Sequence, residues 1–121
     1  MNSSIPFSLN RFIYARAKVG INLHVDEQVK WGRELNERTY TLAACGVPQL
    51  IDNPKLLRAR FSQDAMFHAE LPNKYFDLFN HIITSPDEAN AKAMLSLEEV
   101  YLRHTTFHRA DFFMRQLGFG N

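Results

Sequence analysis

Between Asn36 and Asp52 the chain reads NERTYTLAACGVPQLID, and this stretch restricts the fold more than any other. Asn36 is a good helix N-cap and Gly46 a good C-cap, which together bracket a compact helix over residues 37–45. Pro48 cannot extend that helix. Gln49 to Ile51 forms a short apolar segment, predicted as a strand, before Asp52-Asn53-Pro54 signals a turn. A helix that feeds directly into a short apolar strand is a unit of alternating α/β architecture.

Upstream, Leu9, Phe12, Ile13 and Ala17 recur at helical spacing, predicting a helix of about two turns before Lys18. Val19, Ile21, Leu23 and Val25 then alternate with Gly20, Asn22 and His24, the period of two expected of a strand. Residues 26–35, DEQVKWGREL, are charged and contain Gly32, and they read as a surface loop. Downstream of Pro54 comes one helical turn through Leu56 and Leu57, then a third strand over Ala65 to Ala69. From Asn73 the helical signal strengthens, with Tyr75, Leu78, Phe79, Ile82 and Ile83 on one face. Ser85-Pro86-Asp87-Glu88 is a helix start, with Ser85 as N-cap and Pro86 in the first position. That helix runs to about Arg103 and carries a Glu99/Arg103 pair at i,i+4. A last helix bears Phe107, Ala110, Met114 and Leu117 and ends at Gly118.

Strands that alternate with helices early in a chain predict parallel pairing through crossovers. The expected class is therefore α/β: a partial Rossmann-like fold with a short parallel sheet, flanking helices and a helical C-terminal tail. Two or three strands are few for a parallel sheet covered on both faces, so the chain reads as the back half of a doubly wound domain. At 121 residues, 1–121 make one domain. A hydrophobic fraction of 45% with 22% charged residues supports a packed core. The formal net charge of +1 argues against nucleic acid, or an anionic membrane, recruited by bulk charge. No stretch approaches the roughly 20 apolar residues of a membrane span, and the first nine residues lack the apolar core of a signal peptide. The single Cys45 excludes an internal disulfide and fits a reducing compartment, so a cytoplasmic protein is expected.

In an open parallel sheet, ligands settle beyond the carboxyl ends of the strands, where helix N-termini gather. The strand ending near Val25 and the helix starting at Asn36 create such a place. Unpaired N–H groups and the helix dipole make phosphate the natural guest there. Arg38 and Thr39 would add a charge-assisted donor and a hydroxyl. Asn36 caps the helix or reaches the ligand, and Glu34 or Glu37 could accept hydrogen bonds from sugar hydroxyls. Small residues Ala43, Ala44 and Cys45 would let the helix pack closely on the sheet. The alternative is a plain cap at Asn36 with Glu37 and Arg38 merely solvated.

Other polar residues admit simpler readings. His104 and His108 have the i,i+4 spacing of metal ligands, with Asp111 nearby, but no metal site is expected. His68 and His81 read as core or boundary histidines, and Cys45 as a small buried thiol. Trp31, with Lys30 and Arg33, could stack a base or sugar, or pack back onto the domain. Phe107, Phe112 and Phe113 read as core; in a truncated domain part of that set would lie exposed and favour self-association.

KVGINLH, NERTYTLAACGVPQLID and RHTTFHRA, in this order and spacing, resemble the carboxyl-terminal region of bacterial glycosyltransferases of the CgeB-like group, within the larger set of two-domain GT-B enzymes. The family pattern is a strand of the type LNLH, then N-x-R-T-F-E-x-x-A-C-G, an apolar strand ending in Asp, and an H-T-x-x-H-R turn. The counterparts are Ile21 to His24, Asn36, Arg38, Thr39, Ala44 to Gly46, Asp52, and His104 through Arg109. The resemblance covers roughly residues 10 to 118. It implies binding of a nucleoside diphosphate-sugar as substrate, with no separate cofactor, and donor-site positions at Asn36, Arg38 and Thr39. Thr41 stands where the family has the glutamate that holds the ribose; Glu37, one turn earlier, is the candidate substitute. His24, at the loop end of its strand, is expected to face the donor pocket, and the H-T-x-x-H-R turn places His104 and His108 across a helix junction.

The resemblance also implies an acceptor-binding domain and first donor-domain strands, for which the residues before the first helix leave no room. The chain is therefore expected to be a fragment, or a remnant, that does not transfer sugar by itself. The alternative function is a non-catalytic, oligomerising relative of that fold, a homo-oligomer built on its sheet edge and aromatic faces.

Overall fold

A computed structural model describes residues 5–120. Its elements run in order as α1 (Phe7–Tyr14), β1 (Gly20–Asn22), α2 (Asp26–Trp31), α3 (Glu37–Ala44), β2 (Gln49–Ile51), α4 (Pro54–Arg60), β3 (Phe67–His68), α5 (Pro72–Thr84), α6 (Pro86–Arg103) and α7 (Thr106–Gln116). The three strands form one parallel sheet in the order β1-β2-β3, with Ile21 opposite Leu50 and Ile51 opposite His68. This is the partial Rossmann-like α/β fold the alternation predicts.

Local sequence explains α3. The Asn36 side chain accepts from the Thr39 N–H at the start. At the end, Val47 N–H donates to Leu42 O and Gly46 N–H to Ala43 O, with Gly46 at φ +68°. That is a Schellman closure, and only glycine takes its left-handed position without strain.

The strands are shorter than expected, β1 stopping at Asn22 rather than near Val25 and β3 holding only Phe67–His68 of Ala65–Ala69, and two helical segments also differ from expectation. Residues Asp26–Trp31 form a helix rather than a loop: Asp26 and Glu27 sit in its first turn, Lys30 in its last, and Gly32 closes it at φ +59°. Those charges complement the helix dipole, so the features that suggested a loop are caps. Helix α4 extends to Arg60 rather than stopping after one turn, because Leu56, Leu57 and Phe61 are all buried against the sheet.

The two faces of the sheet are covered differently. Ile51, with Met66 just before β3, faces a core made of Ala43, Leu57 and Val100 from α3, α4 and α6 together with Leu35 and Phe61 from the flanking loops. Leu50 and Phe67 face the other way, onto Ile82 of α5 and Ala89 at the start of α6. Glu99 reaches from α6 to accept from the Ser62 N–H at 2.9 Å and pairs with Arg103 at 2.8 Å, the i,i+4 bridge expected from spacing.

The segment that runs from β1 to the start of α2 buries its polar residues. Asn22 and His24 point into the α3 side, while Ile21, Leu23 and Val25 are exposed. Gly20 passes so close to α3 that a Cβ there would lie 2.8 Å from Leu42 Cδ1. The last helix is also bare: α7 buries no residue, and Phe107, Phe112 and Phe113 are exposed rather than core.

Two histidines give the fold a pH dependence. His68 titrates below its usual 6.5, first through burial, then through the cations of Arg58 and Lys92, against which Glu70 acts. His104 is lowered chiefly by burial, opposed by its hydrogen bond to the Arg60 carbonyl. The unfolded chain therefore binds protons first as pH falls through 6.5, so stability is intact above that value and declines below it. Melting curves between pH 7 and pH 5 should show a falling melting temperature, and His104→Asn should flatten part of that slope.

Candidate functional site at the carboxyl edge of the sheet

The carboxyl ends of β1 and β2 and the start of α3 meet in one hydrogen-bonded network. Asn22 is fully buried; its Nδ2 donates to Thr39 Oγ1 at 2.8 Å and to Gln49 Oε1 at 3.3 Å. Its Oδ1 accepts from Asn36 Nδ2 at 2.8 Å, and the same amide nitrogen reaches Leu23 O at 3.2 Å. Asn36 Oδ1 accepts from both the Thr39 N–H (3.1 Å) and the Thr39 hydroxyl (2.9 Å). Gln49 Nε2 donates to Thr39 O at 2.8 Å. Beside this, His24 contacts Asp52 through both its backbone N–H (2.9 Å) and Nδ1 (2.6 Å), and Asn36 N–H donates to His24 Nε2 at 3.1 Å.

The expected site residues thus divide into two groups. Asn36, Thr39 and His24 are brought together, but their polar atoms are engaged with one another and with the strands. His24 is a buried bridge; its ring nitrogens both have protein partners. Glu34, Glu37 and Arg38 are exposed, and Thr41 is half-exposed with its hydroxyl donating to Glu37 O at 3.2 Å. With Asn36 and Thr39 satisfied, the first-turn N–H groups of Glu37 and Arg38 are left without a protein acceptor among the described residues. The inward network rigidifies the turn; the outward side can receive an anion.

Asn22 and Gln49 were not legible as members of this site. Their signal is a polar residue at a strand position facing a capped helix, and it becomes readable only once the pairing of β1 with β2 is known. Tyr75 of α5 is a further member of the region: its hydroxyl is buried, and burial together with the Asp52 charge pushes the phenol well above its usual range.

The remaining motif packs against α3 from outside. His104, at the end of α6, donates from Nε2 to Arg60 O at 2.7 Å and stacks on Tyr40 and Phe61 with ring centroids 5.5 and 4.9 Å away. Arg109 lies over the Tyr40 ring at 5.2 Å. His108 Nδ1 accepts from the Thr105 N–H at 3.2 Å in a capping box at the start of α7. The two histidines straddle the helix junction, each with a structural partner. Cys45 is half-buried and its thiol is pushed up by burial, which disfavours the thiolate. Trp31 is exposed at the end of α2, with the Arg33 guanidinium 5.9 Å from its ring.

Two concave surfaces lie away from the α3 turn. One, of about 550 Å³, runs along α6 past Met94, Leu95, Tyr101 and Leu102. The other, of about 310 Å³, is lined by Asp64, His68, His81, Glu88 and Lys92. There His81 and Glu88 pair at 2.6 Å, and Lys92 donates to Asp64 O at 3.1 Å. No helix among the described residues is long and apolar enough to cross a membrane.

A short parallel sheet with a helix start at its carboxyl edge defines the class: a partial Rossmann-like α/β unit. A family model described as glycosyl transferase-like matches residues 4–115, nearly the full length, and the chain belongs to that family. No curated protein and no solved structure matches it.

Proposed function

We propose that this chain is the nucleotide-sugar donor-binding part of a glycosyltransferase of the GT-B, CgeB-like kind, which in an intact enzyme moves a sugar from a nucleoside diphosphate to an acceptor. The observation that carries the reading is the opening turn of α3. Family membership spans it, the network of Asn22, His24, Asn36, Thr39 and Asp52 holds it rigid, and its unpaired N–H groups lie beside the exposed Arg38. A pyrophosphate docked there gains the helix dipole, two backbone donors and a guanidinium, the groups that stabilise a departing diphosphate. Glu37 and Thr41 lie one turn apart on α3, and Glu37 supplies the charged acceptor for ribose or sugar hydroxyls that Thr41 lacks. Glu34, just before the turn, is the second acceptor.

The test is Arg38→Ala. Arg38 is exposed and has no ion pair among the described residues, so its loss should leave the melting temperature within about 2 °C of wild type. Calorimetric titration with UDP-, GDP- and other nucleotide-sugars should show affinity reduced at least about tenfold, the value of one charge-assisted contact. Unchanged affinity, or a large stability loss, contradicts the assignment. The exposed aromatic residues of α7 favour a second reading, a non-catalytic homo-oligomer; a sedimentation experiment that finds only monomer over a wide concentration range removes it.

A further inference from the structure

The Asp52 carboxylate is used twice by one residue. His24 backbone N–H donates to Oδ2, and His24 Nδ1 faces Oδ1 at 2.6 Å. The other ring nitrogen, Nε2, receives the Asn36 backbone N–H at 3.1 Å. A backbone N–H can only donate, so Nε2 must carry its lone pair there. The ring proton then resides on Nδ1, aimed at the carboxylate. The His24 side chain is wholly buried, so no solvent exchange of partners relaxes this arrangement.

We infer that Asp52 and His24 are positioning residues: Asp52 fixes His24 as the Nδ1–H tautomer, and the Nε2 lone pair so created anchors the Asn36 N–H and sets the opening turn of α3. The chain of contacts joins the end of β2 to the start of α3 through the end of β1, elements far apart in sequence. It also explains a carboxylate at 52. Both Asp52 oxygens accept, and an asparagine would bring an NH₂ group against one of the two His24 donors. With the Asn36 N–H held by His24, the Asn36 side chain is free to turn inward to Asn22, Leu23 and Thr39. The neighbouring N–H groups of Glu37 and Arg38 are thereby presented as a pair. Their service to a donor rests on the reading proposed above; the tautomer does not.

The experiment uses the full chain labelled with ¹⁵N. Imidazole nitrogen shifts of wild type should show His24 protonated at Nδ1 and bare at Nε2. Asp52→Asn should erase that pattern and speed Asn36 amide exchange about tenfold relative to Leu42 and Ala43 in the same helix. His24→Gln, which keeps an acceptor oxygen near the Nε2 position, should retain part of the protection that His24→Ala loses. Val100→Ala, a core truncation elsewhere, should change neither readout. A wild-type His24 protonated at Nε2, or an Asp52→Asn chain with tautomer and exchange unchanged, overturns the inference; should Asp52→Asn not fold, the wild-type spectrum and the His24→Gln and His24→Ala pair decide. Titration with UDP- and GDP-sugars separates the two proposals, since Asp52→Asn should weaken binding about tenfold while Val100→Ala does not. A wild type with the expected tautomer that binds no nucleotide ends the donor reading alone. A wild type that binds, with Asp52→Asn binding equally well, ends the positioning role.

Discussion

Asn22→Leu is expected to lower the melting temperature by about 10 °C, the equivalent of about 3 kcal/mol. Leucine matches asparagine in shape closely enough that no large cavity opens, so the loss is one of hydrogen bonds. Gln49 Oε1 would lose the donor it has from Asn22, and Asn36 Nδ2 would lose one of its two acceptors. Thr39 Oγ1 would lose a donor while keeping its own bond to Asn36. The stranded Thr39 and Gln49 atoms stay dry, because both residues are buried, whereas half-buried Asn36 can turn its amide toward water. An unsatisfied buried polar atom costs about 1–3 kcal/mol, and the network shares the damage. Thermal melts at neutral pH check this; a change within 0.5 kcal/mol (the ordinary range for a surface substitution) would mean that the network contributes nothing.

Leu57→Ala should cost a similar amount, about 2–5 kcal/mol, for an unrelated reason. Leu57 is fully buried on α4, in the core that α3, α4 and α6 build on one face of the sheet. Truncation removes transfer energy and leaves a cavity that neighbours such as Phe61 and Ile51 can only partly fill. Urea unfolding should show a lower midpoint with an unchanged slope, since the surface exposed on unfolding barely alters. A loss below 1 kcal/mol would mean that α4 is not part of the cooperative unit.

The two substitutions also mark how far sequence reading reaches. Helix α3 and strand β2 were legible because their causes are local: an asparagine cap, a glycine closure, a proline that forbids extension, then the apolar pair Leu50 and Ile51. The helical length of α4 was not, because nothing near Arg60 announces that Phe61 will be buried by residues elsewhere in the chain. Helix α2 is hidden in the sequence although its caps are local; with no buried residue it has no apolar stripe, and Gly32 looks the same in a loop as at a helix end. For β1, alternation identifies a strand without revealing which set turns inward, and here the polar set does. That inversion governs the site. Asn36, Thr39 and His24 could be named in advance as neighbours of a helix start, whereas their partners Asn22, Gln49 and Asp52 lie 10 to 28 residues away and required the sheet register.

The donor-site claim meets its most direct test in amide NMR spectra of the intact chain, recorded while UDP, GDP and their sugars are added. Saturable shifts should centre on the amides of Glu37 and Arg38 and spread to Asn36 and His24, fading toward α6 and α7. Spectra unmoved at millimolar nucleotide, or shifts centred instead on the His68–His81 cleft, would contradict it.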